Sequence, residues 1–100
     1  MQIDIADVEN IKCSSLGHTI SEYADKNDMT ALISFLNSFV LTKRYEIVDC
    51  QRPSIEIIIY YKDGSAEHLE YRYTSIVYRG RGYEIDINKT SELDRLLFQN

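Results

Sequence analysis

Residues 54–61 read Ser-Ile-Glu-Ile-Ile-Ile-Tyr-Tyr, the most apolar run in the chain and one in which almost every residue favours a strand. Side chains alternate across a strand, so Ile55, Ile57, Ile59 and Tyr61 share one face and Ser54, Glu56, Ile58 and Tyr60 the other. The second set opens polar and turns apolar, which implies a strand covered fully on one side and partly on the other. Burying each isoleucine contributes roughly 1.5–3 kcal/mol, so this run is expected to be the central strand. Lys62-Asp63-Gly64 ends it with a hairpin cue. Pro53, which has no N–H to donate to a ladder, stands just ahead of the run where it does no harm.

A central strand needs partners and a cover, and the remaining sequence supplies both. Val8, Ile11 and Cys13 suggest a first strand over residues 8–14, and Ser15-Leu16-Gly17 a turn into a second strand at residues 18–23, with Ile20 and Tyr23 on opposite faces. Asp25-Lys26-Asn27-Asp28 reads as a helix start, because short acidic and amide side chains accept the free N–H groups there. The helix is expected over residues 28–41, with Met29, Leu32, Ile33, Leu36, Phe39 and Val40 toward the sheet and Thr30, Ser34, Asn37 and Ser38 toward solvent. Residues 45–49 read as a strand that would pair with residues 55–61. Residues 66–73 alternate, with Leu69, Tyr71 and Tyr73 on one side and His68, Glu70 and Arg72 on the other. Residues 75–78 and 83–87 flank Arg79-Gly80-Arg81-Gly82 as a last hairpin, and Ser91-Glu92-Leu93-Asp94 approximates a capping box ahead of a short helix.

These elements amount to one α+β domain spanning residues 1–100: a mostly antiparallel sheet of hairpin, long helix and then β-meander, closed by a short C-terminal helix. The 100 residues, 44% of them apolar, suffice for one core and not two. No apolar run approaches the ~18 residues of a membrane-spanning helix. A cytoplasmic location is expected if Met1 is the native start, and an extracytoplasmic one if a signal segment preceded it.

Segments 20–28 running into 32–39, and 57–64 followed by a strand and then 76–85, resemble small domains of Gram-positive bacteria and their mobile elements. The features in common are a strand, the Asp25-Lys26-Asn27-Asp28 helix start, a leucine- and asparagine-bearing helix and the Tyr61-Lys62-Asp63-Gly64 meander turn. The resemblance covers residues 8–87 and implies an α+β fold without an established activity, in a family whose members are often secreted or lipid-anchored. Its motifs are caps and turns, so it carries over no functional residues.

The chemistry-bearing residues form no catalytic, cofactor or metal motif. Cys13 and Cys50 lack metal-ligand spacing and read as two buried thiols, with a disulfide open only to an exported chain. Asp25–Asp28 cannot begin an EF-hand, since Thr30 and Leu36 stand where that loop needs Gly and Glu. His18 and His68 have no convergent nucleophile, and Glu67, Glu70, Glu84 and Asp86 read as solvent-face acids. The formal charge of −5 argues against direct nucleic-acid binding, and the Arg-Gly repeat reads as a hairpin tip.

Two function classes remain. The leading one is a non-enzymatic protein-binding module, contacting a protein partner or a second copy through an edge strand or an exposed Tyr/Ile sheet face of Ile58, Tyr60, Ile76 and Tyr78. The alternative is a small acidic inhibitor of phage or plasmid type, in which Asp4, Asp7, Glu9, Glu22, Asp25 and Asp28 imitate nucleic-acid phosphates.

Overall fold

A computed structural model of the chain describes residues 1–41, 44–45, 54–72 and 74–98, the side chains of residues 44, 45 and 87 aside. Strands β1 (Val8–Ser15) and β2 (His18–Tyr23) form an antiparallel hairpin through Leu16-Gly17. Both turn residues have positive φ, 53° and 78°, the combination that a two-residue type I′ turn requires.

Helix α1 follows as Lys26–Asn37, shifted from the expected residues 28–41. It starts early because Asp25 is the cap: its Oδ1 accepts the Asn27 N–H at 2.8 Å and the Asp28 N–H at 3.3 Å. It stops early because the backbone tightens, Ser38 N–H bonding to Phe35 O and Phe39 N–H to Leu36 O. Lys89 Nζ also donates to the Ser38 carbonyl at 3.1 Å. Met29, Leu32, Ile33 and Leu36 are buried as the spacing implied, and Phe39 is buried beyond the helix end. Val40, expected on the same stripe, is 74% exposed. Asn37, expected toward solvent, instead holds the N-terminal segment: its Oδ1 accepts Ile3 N–H and its Nδ2 donates to Ile3 O, both at 2.8 Å.

The remaining strands are β3 (Arg44–Tyr45), β4 (Ile55–Tyr61), β5 (Ala66–Tyr71), β6 (Ser75–Tyr78) and β7 (Arg81–Glu84). They join the hairpin in one antiparallel sheet of order β2-β1-β4-β5-β6-β7-β3, six strands with the two-residue β3 as a seventh at the far edge. The α+β class and the antiparallel pairing are thus those the sequence implied. The partner expected for β4 is not. Its two hydrogen-bonding edges are taken by β1 and β5, so Arg44 and Tyr45 pair with Tyr83 and Gly82 of β7, and residues 46–49 lie outside the described part.

The β4–β5 connection is a tight turn closed by Gly64 N–H to Tyr61 O at 3.0 Å and Tyr61 N–H to Ser65 O at 2.9 Å, with Gly64 at φ 91°. The β6–β7 turn is shorter than the Arg79-Gly80-Arg81-Gly82 tip expected. Arg79 and Gly80 alone take positive φ, and β7 already begins at Arg81. That strand ends at Glu84, and Ile87 opens a 3-10 turn leading into helix α2 (Thr90–Leu97). The anticipated capping box does not form, because Ser91 to Asp94 lie inside α2 and Asp94 accepts a 2.9 Å hydrogen bond from Tyr71 Oη instead. Tyr23 Oη likewise donates to the Leu96 carbonyl. Leu93 and Leu97 of α2 share one core with Met29, Leu32, Ile33 and Leu36 of α1 and with Ile11, Ile57, Ile59 and Leu69 of the sheet, so both helices cover the same face.

Candidate functional site

Which residues the helices leave uncovered follows from register. Strands β4 and β5 pair odd with odd, Ile57 opposite Leu69 and Ile55 opposite Tyr71, so the odd positions of both face the helices. Tyr71 and Ile76 are opposite each other across four intervening residues, and an even number of residues between paired positions exchanges odd for even. The covered positions of β6 are therefore Ile76 and Tyr78, 1% and 9% exposed. The two-residue Arg79-Gly80 turn exchanges them again, bringing Tyr83 opposite Ile76.

The four residues expected to share one exposed face are thus divided. Ile58 and Tyr60 lie half-buried on the helix-free face, whereas Ile76 and Tyr78 point into the core. Val77, opposite Glu70, takes the place on the open face that sequence parity assigned to its neighbours.

Around Ile58 the open face is mixed in character. Lys12 and His68 stand on either side of Ile58, Asn10 and Ala66 on either side of Tyr60, and Glu56 directly opposite Glu70. Two carboxylates opposed across a strand pair repel each other, and each has found a cationic or protonatable neighbour. His68 Nδ1 lies 3.0 Å from Glu56 Oε1, and Arg72 Nε donates to Glu70 Oε1 at 3.0 Å. Burial alone would raise the Glu70 pKa, but the Ser54 hydroxyl and the Arg72 guanidinium outweigh it and hold the carboxyl below its ordinary value. These groups border a groove of about 450 Å³ lined by Ser54, Glu56, His68, Glu70 and Val77.

At the end of the sheet, on the covered side, is a cluster that was not anticipated. Glu67 was expected on a solvent face, yet it lies opposite Ile59 and so on the same side as Leu69, its side chain 16% exposed. Its Oε1 accepts from Tyr61 Oη at 2.8 Å and Tyr78 Oη at 3.5 Å, and its Oε2 accepts from Arg79 Nε at 3.0 Å. The Arg79 guanidinium also lies 5.0 Å over the Tyr78 ring. Burial, reinforced by the adjacent carboxylate, pushes both phenols above their ordinary pKa. Parity along β5 was the available signal, since Glu67 is in step with Leu69 and Tyr71. The arrangement staples two turns together and leaves Arg79 engaged within the chain.

The other candidates remain apart. His18 and His68 lie on β2 and β5, three strands from each other in the sheet order, a distance of about 14 Å at the usual strand spacing. Asp4 and Asp25 are both caps, Asp4 accepting the Ala6 N–H and Asp25 starting α1, and Glu22 stands opposite Lys12. Cys13 is a buried free thiol, pushed up to about 11 by burial, an effect partly offset by the Ser21 hydroxyl; Cys50 lies outside the described residues. Among the described residues no three His, Cys, Asp or Glu side chains gather as a metal site, and no helix is long and apolar enough to cross a membrane. No protein-family model, curated protein or solved structure matches the chain.

Proposed function

We propose that this chain is a protein-interaction module without catalytic activity of its own, and that it contacts its partner through the helix-free face of the sheet around Ile58 and Tyr60. One observation carries the reading. Both helices pack on one side, and the strand at the heart of the sheet presents an isoleucine and a tyrosine on the other. Tyrosine suits a contact surface because it offers a large apolar body, a polar tip and few rotors to immobilise. Val77 extends the apolar surface, while Lys12, Glu56, His68 and Glu70 form the polar surround expected of an interface rim. The β2 edge supports strand addition less well, since the β1–β2 register is broken by a bulge between Cys13 and Ser14, a device that blunts edges. A bacterial or mobile-element setting, as the sequence resemblance implies, belongs to the same proposal.

The acidic-mimic alternative has weaker support. Two of its six carboxylates are occupied as caps and a third faces a lysine, so the set does not form one uninterrupted phosphate-like surface.

The test is association measured by sedimentation velocity and by pull-down from the source cell, for the wild type and for Ile58→Ser/Tyr60→Ser. The reading expects the wild type to self-associate or retain a partner and the double variant to lose that association at an unchanged far-UV spectrum. Association of the folded double variant at wild-type strength would overturn it.

A further inference from the structure

We draw no further inference here: the strongest candidate, the groove of about 450 Å³ on the open sheet face between Glu56, His68 and Glu70, belongs to the contact surface already proposed, its carboxylates are bonded to His68 and Arg72, and nothing in the structure shows what covers it.

Discussion

Glu67 gathers two phenols and a guanidinium on one carboxyl group, so removing it strands both phenol donors at once, while the exposed Arg79 guanidinium turns to water. Leaving a partly buried donor unsatisfied costs about 1–3 kcal/mol, and Glu67→Leu is expected to lose stability in that range by urea denaturation. A midpoint within error of wild type would show that solvent satisfies these groups. Ile57→Ala should cost about 2–5 kcal/mol, because its side chain is wholly buried and leaves a cavity. Ser34→Ala on the exposed side of α1 should stay within about 0.5 kcal/mol. The thiol of Cys13 and the phenols of Tyr23, Tyr61 and Tyr78 all hold their protons more tightly in the fold than in the open chain. Their contribution is complete below the unfolded pKa and disappears as pH rises through the folded one, so stability should fall in alkali. For Cys13 that window runs from the thiol's ordinary value of 9.0 to about 11, a change on the order of 2–3 kcal/mol. Melting temperatures of wild type and Cys13→Ala between pH 8 and 11 check it. The variant should decline less steeply, and parallel curves would remove the thiol from the account.

At the scale of elements, local chemistry was legible and register was not. Asp63-Gly64 announced its turn, and the spacing of Met29, Leu32, Ile33 and Leu36 announced the buried stripe of α1, because both depend on residues a few positions apart. The cap could have been assigned to Asp25 or Asp28 on residue type alone. Only the backbone path out of Tyr23 selects Asp25. Asp25→Ala should therefore cost about 0.5–2 kcal/mol, whereas Asp28→Ala, which leaves the cap in place, should cost less in the same denaturation experiment. The division of Ile58 and Tyr60 from Ile76 and Tyr78 was hidden for a different reason. Face assignment carries across a hairpin only if the count between paired residues is known, and the sequence alone left that count open between β5 and β6. The partner of β3 was hidden for a third reason, since nothing local shows that both edges of β4 are taken by β1 and β5.

For the molecule as a whole, two tyrosines on the strands that flank β5, Tyr60 of β4 and Tyr78 of β6, should respond oppositely to the same change. Tyr78→Ser removes a buried ring and should cost several kcal/mol, about 3–5 by analogy with aromatic truncations, whereas Tyr60→Ser should fold normally and alter association alone. Equal losses of stability would place Tyr60 in the core. Salt separates the two function classes. An apolar contact around Ile58 and Tyr60 should persist as ionic strength rises, whereas a phosphate-mimicking surface should weaken, since exposed charges are screened beyond about 8 Å at physiological salt. The sheet has one further consequence, in time instead of space. Strands β4, β5 and β6 each pair with their successor in sequence, and β1 pairs with β2, but Ile11 must find Ile59 across 48 positions before hairpin and meander become one sheet. Closing a chain segment of that length costs about 3 kcal/mol more than the shortest loops by the logarithmic rule, so the β1–β4 junction should form last, after hairpin and meander are in place. Truncating Ile59 should then speed unfolding far more than it slows refolding in stopped-flow kinetics, while an equally destabilising truncation of Ile76 should slow refolding.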